Sequence, residues 1–416
     1  MRGRLGVLLT VAVALPLLAG ASARAASSPM LPSQDPFYSY SGSRSLSSVA
    51  PGTVLKHRAV RVALGAGRGT PVRADQLLYR TTGERGEATA TVTTVLRSPT
   101  AKVLPRIVGY LSFYDGLAPQ CDPSYTLAGG AAGDKAIHQQ AQEEELMMLW
   151  YLAQGNVVTV PDFEGTGLHW MAGRESGYGT LDAIRATESF LHFSPSAKVG
   201  LSGYSGGSVA ADWAFESART YAPTLNLVAV AMGGVPANYF DHFAYVDGTN
   251  EYSPAIAGEL LGLARAYGVD LTPYLTPYGR KVVGEVGGEC IVSAFGKYPG
   301  LTISKLLLPP YGDVAHVAPF AAMLAQQTMG SAAQVPRVAM FIGNGNVDGR
   351  GDGAMVAADA KALARRYCRR GVPVRYQEYK HASHIVAAAF FDPLTGPFLE
   401  ERFTGVPLSG NCPSLG

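Results

Sequence analysis

The sequence predicts an α/β fold: a mostly parallel central sheet with helices on both faces. Three observations carry that expectation. Between residues 106 and 380, short apolar runs of strand type alternate with longer stretches of helical period, the rhythm of parallel strands joined by crossover helices. The composition suits a compact globular chain, with 47% hydrophobic and 16% charged residues and 49 Gly and 27 Pro for tight turns in 416 residues. Ser205 stands among glycines where one such strand meets one such helix.

From the amino terminus, "MRGRLGVLLTVAVALPLLAGASARAASS" has Arg2 and Arg4, an apolar run over residues 5–20, and Ala-x-Ala patterns at Ala21/Ala23 and Ala23/Ala25. This is the layout of a secretory signal peptide, residues 1–25, so a secreted product is expected. The run is short for a spanning helix and contains Pro16, and no later segment is long and apolar enough to span a bilayer. No integral membrane segment is therefore expected after signal removal. Residues 26–75 are rich in Ser, Pro and Gly without a sustained period, and read as an N-terminal arm wrapped over a surface.

The core follows in two blocks, residues 76–236 and 335–416. "QLLYRTT" and "ATATVTTVLRS" alternate as an edge hairpin or meander does. "RIVGYLSFYDG" is a buried strand running into a loop, and residues 138–155 are helical with an apolar face and a terminal glycine. "NVVTVPDFEGTG" is strand and loop, "TLDAIRATESFL" helix, "KVGLSGYS" strand and turn, "GSVAADWAFESARTYA" helix, and "LNLVAVAMGG" strand. The rhythm returns with "RVAMFIGNGNVDG", "AMVAADAKALARRYC" and "VPVRYQEY". Between the blocks, residues 237–334 hold apolar helix-like segments such as "AIAGELLGLARAYG" with Pro-rich links and no strand rhythm. They read as a helical cap or lid inserted over the sheet.

With 34 Lys+Arg against 32 Asp+Glu and no basic cluster, the chain lacks the electrostatic footprint of a nucleic-acid binder. A small or neutral ligand fits that balance better. In an oxidising compartment the even set Cys121, Cys290, Cys368 and Cys412 points to disulfides and away from a metal site, with three pairings open.

Gly203, Ser205 and Gly207 form a G-x-S-x-G pattern. At a strand-to-helix junction this turn is so tight that flanking side chains must be small, and the serine oxygen is pushed up at the carboxyl edge of the sheet. The helix start also aims free N–H groups at that point, so the Gly206 N–H is placed to stabilise an oxyanion. A serine hydroxyl needs a base, and the fold's chain order is Ser, then Asp or Glu, then His on a loop after the last strand. His381 and His384 in "YKHASH" lie there, while His57, His138, His169 and His192 precede Ser205 and His242 and His316 fall in the insertion. "GNGNVDGRGDGAM" offers Asp348 and Asp352 as acids, one to orient the imidazole and the other a turn residue or helix cap.

Together "YDGLAPQCDPSY", "PDFEGTG", "LDAIRA", "GYSGGS", "GDGAMVAADAKALARRYC" and "EYKHASH", in order and spread over most of the mature chain, resemble the secretory lipases. The resemblance implies an α/β-hydrolase fold with a helical cap and a serine esterase acting on acylglycerols and other carboxylic esters. It implies Ser205 as nucleophile, Asp352 rather than Asp348 as acid, His384 as base with His381 its neighbour, and the backbone N–H groups of Gly206 and Asp115 as oxyanion hole. It likewise implies pairing Cys121 with Cys290, tying the oxyanion loop to the cap, and Cys368 with Cys412, tying down the tail. The stretch "TGVPLSGNCPSLG" after the last helix is brief, so the flap that yeast members carry there is expected to be reduced.

The expected partner is a lipid or small ester, with no metal and no cofactor required. The same triad serves acyltransferases and peptidases, and a non-catalytic binding protein on this fold is the alternative from another class. Leu260, Leu261 and Phe320 are candidates to line an acyl tunnel, though at helical spacing such residues are more often plain core. Oligomeric state is not readable from the sequence.

Overall fold

Side chains alternate across a nine-stranded sheet and build a core on each face. The computed structural model describes residues 28–64, 68–131 and 133–415, so the expected signal peptide lies outside the described residues. The strands are β1 (Val54–Val60), β2 (Ala63–Leu64), β3 (Arg68–Gly69), β4 (Arg73–Thr82), β5 (Ala88–Arg97), β6 (Arg106–Leu111), β7 (Val157–Pro161), β8 (Lys198–Tyr204), β9 (Asn226–Gly233), β10 (Ala339–Asn346) and β11 (Val374–Lys380). All but the small β2–β3 ribbon join one sheet in the order β1-β4-β5-β7-β6-β8-β9-β10-β11. From β7 to β11 neighbouring strands are parallel, whereas β1, β4 and β5 form an antiparallel flank.

The helices are α1 (Pro123–Thr126), α2 (Lys135–Ala153), α3 (Gly173–Phe190), α4 (Gly206–Tyr221), α5 (Tyr239–Val246), α6 (Pro254–Tyr267), α7 (Pro277–Val286), α8 (Ile291–Ala294), α9 (Ile303–Leu306), α10 (Ala318–Gln326), α11 (Ala357–Arg369), α12 (His384–Phe403) and α13 (Cys412–Leu415). The two-residue period of β6 shows how they are recruited. Ile107 and Leu111 join the cluster that holds α3, α4 and α11, while Val108 and Tyr110 join the one that holds α2 and α12. Phe341, Phe391, Phe398 and Phe403 fill the second cluster, and each such side chain stabilises the fold by about 1.5–3 kcal/mol on burial. Helices α5 to α10 bury Ile256, Leu263 and Phe320 in the first cluster, so they share a core with the sheet.

Two local expectations change. The supposed surface arm contributes β1, paired antiparallel with β4 at the sheet edge. Its sequence "VLKHRAV" hides this because an edge strand is half exposed and because the register shifts between Val54 and Lys56. His384, expected on a loop, is the first residue of α12, whose N-cap Ser383 accepts a hydrogen bond from the Val386 N–H. Among the described residues no helix is long and apolar enough to cross a membrane.

Candidate active site

Ser205 lies at the β8–α4 junction with φ +53° and ψ −122°, a backbone state that an L-residue rarely adopts. The packing explains why glycines flank it. A Cβ on Gly203 would come 2.3 Å from the Gly207 carbonyl oxygen, and one on Gly207 would come 2.0 Å from that of Leu111. The turn is held by the Ser205 N–H donating to the Gly233 carbonyl at 2.9 Å and the Ser208 hydroxyl donating to the Ser205 carbonyl at 2.6 Å.

The loop after β11 turns at His381, whose N–H donates to the Asn346 carbonyl at 2.7 Å, and brings His384 back over the sheet edge. His384 Nε2 stands 2.9 Å from Ser205 Oγ and Nδ1 stands 2.9 Å from Asp352 Oδ2. A carboxylate only accepts, so the proton belongs on Nδ1 and Nε2 is free to accept from the serine hydroxyl. The Tyr204 hydroxyl donates to the His384 carbonyl at 2.7 Å, and Gly234 leaves room for the ring, since a Cβ there would sit 2.7 Å from His384 Cε1. Asp352 is fully buried and its Oδ1 accepts from the N–H groups of Ala354 (2.9 Å) and Met355 (2.6 Å). Asp348 is exposed and closes a turn, accepting from the Arg350 and Gly351 N–H groups and from the Tyr245 hydroxyl. His381 is exposed as well.

Asp115 follows β6 in a left-handed conformation, φ +33°. Its carboxyl fills the space in front of Gly206, where a Cβ would fall 1.6 Å from Oδ1. Burial and the nearby Glu259 charge push that carboxyl up to about 7. The Asp115 carbonyl accepts from the Ile291 N–H at 2.9 Å, and among the described residues nothing accepts from the Asp115 N–H. Gly116 bridges to Cys290, and Cys121 is disulfide-bonded to Cys290. Cys368 and Cys412 form the second disulfide, joining α11 to α13.

A small cavity adjoins Ser205, Gly206, Asp115 and His384, walled by Trp170, Met171, Tyr252, Ile291, Phe295 and Met355. Leu260 and Phe320 are packed in the core and, like the half-buried Leu261, do not line it. Sequence reasoning set His242 aside as a packed or surface histidine and missed Glu259, yet both face this cavity. The one available signal was a lone charge in the otherwise apolar "AIAGELLGL". Among the other histidines, His169 pairs with Glu175 and His316 with Asp313.

A serine on a strained strand-to-helix turn at the carboxyl edge of a parallel sheet, with acid and histidine after it in the chain, marks an α/β-hydrolase fold. The solved structure of Candida antarctica lipase A superposes with a TM-score of 0.82 at 29% identity, covering 93% of this chain and 89% of that one. A probable inactive lipase of Mycobacterium tuberculosis is 33% identical over 92% of this chain and 84% of its own length. A secreted triacylglycerol lipase of Malassezia globosa is 32% identical over 88% and 78% respectively. The sequence pattern of the secretory lipase family matches residues 132–411. The chain belongs to the secretory lipase family and is a secreted carboxylic ester hydrolase.

Proposed function

We propose that this lipase hydrolyses acylglycerols and related carboxylic esters through an acyl-enzyme on Ser205. The observation that carries the reading is the continuous contact Ser205 Oγ, His384 Nε2, His384 Nδ1, Asp352 Oδ2, with both links at 2.9 Å. Ester enters beneath a cap formed by residues 237–334, set over a core of residues 76–236 and 335–416 with the arm 26–75 along its flank. Ser205 attacks the carbonyl carbon while His384 takes its proton, and Asp352 steadies the imidazolium. The N–H groups of Gly206 and Asp115 receive the oxyanion; one such donor typically contributes about 10²–10³ in rate. His384 returns the proton to the leaving alcohol, and water repeats the cycle on the acyl group.

The one finding on the side of a non-catalytic reading is that the Mycobacterium tuberculosis relative is described as a probable inactive lipase. Hydrolysis of p-nitrophenyl esters decides between the two. The wild type should turn over esters and a folded Ser205→Ala variant should lose at least about 10³-fold in kcat. Equal rates in the two proteins would refute the assignment. Added alcohol or a peptide substrate distinguishes acyl transfer and peptidase chemistry on the same serine.

A further inference from the structure

The cap places a buried pair in the cavity that the acyl-enzyme chemistry leaves unused. His242 on α5 and Glu259 on α6 meet at 2.9 Å, Nε2 to Oε1, with side chains 3% and 2% exposed. His242 Nδ1 lies 2.9 Å from the Ala354 carbonyl, which only accepts, so that nitrogen carries a proton. Burial opposes a charged imidazole, but the Glu259 carboxylate and the Ala354 carbonyl outweigh it and raise His242 above its ordinary value. With Nδ1 donating to Ala354, the 2.9 Å contact between Nε2 and Oε1 needs one shared proton, and it engages Glu259 through Oε1 alone. Its second oxygen, Oε2, is buried and has no hydrogen-bond partner among the described residues. Both residues line the cavity of Ser205, which holds only about 30 Å³, room for roughly one water-sized group.

That cavity therefore offers the Glu259 oxygen as an acceptor to a ligand, and an entirely apolar ester would leave it unsatisfied. With that shared proton the His242–Glu259 pair is neutral overall, which favours a neutral donor over a cation. We infer that Glu259, held by His242, is a specificity-determining residue whose free oxygen accepts a hydrogen bond from a hydroxyl close to the ester carbonyl. The preferred substrates are thus esters with a free hydroxyl near the carbonyl, carried either on the acyl group or on the alcohol as in a partial glyceride. This rests on Ser205 as the nucleophile.

The test compares kcat/KM within two matched pairs, ethyl lactate against ethyl propionate and glycerol monobutyrate against propyl butyrate. The wild type should favour the hydroxylated member of one pair, and Glu259→Leu should reduce that ratio at least about tenfold. The pair that responds identifies the side that carries the hydroxyl. Intrinsic reactivity differences between esters are common to all variants and cancel in the change of ratio. Since Glu259→Leu strands a buried imidazole, the double variant His242→Phe/Glu259→Leu is read alongside, with thermal unfolding to establish folding. A ratio unchanged by either substitution overturns the inference and leaves the Ser205 reading intact. A wild type that hydrolyses p-nitrophenyl esters but none of these four overturns the inference alone, whereas one that hydrolyses no ester overturns both.

Discussion

At the residue scale, Ser205 pays for its position with backbone strain. Its φ of +53° is tolerated because the turn is over-determined by Gly203, Gly207 and the Gly233 carbonyl. Conformations of this kind cost on the order of 1–3 kcal/mol in a non-glycine residue. Ser205→Gly should therefore unfold at higher temperature than Ser205→Ala, by a difference of about 1 kcal/mol, although both lack the hydroxyl. Equal midpoints in thermal unfolding would show that the turn is relaxed. Ser205 was legible because glycine spacing records this steric demand directly. The choice between Asp348 and Asp352 was not, because both sit in the same glycine-rich loop and only the resemblance separated them. Their difference lies in what surrounds them, a buried imidazole for Asp352 and a surface turn for Asp348. Glu259 was illegible for a related reason, since its partner His242 lies on a different helix.

At the scale of elements, the alternating segments were read correctly because parallel strands buried on both faces leave uninterrupted apolar runs. β1 escaped because an edge strand has no such run, and the start of α12 was misplaced because "KHASH" gives no apolar signal at its N-cap. The two disulfides act on different elements. Cys121–Cys290 closes a separation of 169 residues and fastens the Asp115 loop to α8, whereas Cys368–Cys412 closes 44 residues and joins α11 to α13. Loop-closure entropy assigns each about 4–5 kcal/mol at most, so both double Cys→Ser variants should melt earlier. Only Cys121→Ser/Cys290→Ser should also lower kcat, because the Asp115 N–H proposed to receive the oxyanion then loses its covalent anchor. Equal kcat for both variants in a steady-state assay below their melting range would remove the disulfide from that role.

At the scale of the whole molecule, the sheet buries an unusual set of carboxyl groups. Burial pushes Asp162 and Asp392 up to about 7 and Glu144 up to about 8, against about 4 in an unfolded chain. Ser124 N–H and hydroxyl bonds to Asp162, and Ser112 and Phe113 bonds to Glu144, lower these values only in part. Between pH 5 and 7 the folded state thus binds more protons than the unfolded one, and stability falls as pH rises. The contribution is fully present below about pH 4 and is lost as pH passes through about 7 to 8, with a slope on the order of 1 kcal/mol per group per pH unit. Thermal midpoints should be higher at pH 5 than at pH 7.5; a midpoint that is flat or rises over that range would contradict this. None of this was visible in the sequence, where the same residues read as ordinary charges within a near-neutral total.

The central claim is that one hydroxyl, Ser205, becomes a nucleophile because His384 and Asp352 converge on it. Intact-mass spectrometry after reaction with a fluorophosphonate tests this most directly. The account predicts a single adduct that maps to Ser205, absent in Ser205→Ala and formed far more slowly in His384→Ala. An unlabelled wild type, or an adduct that persists at full rate in Ser205→Ala, would contradict it.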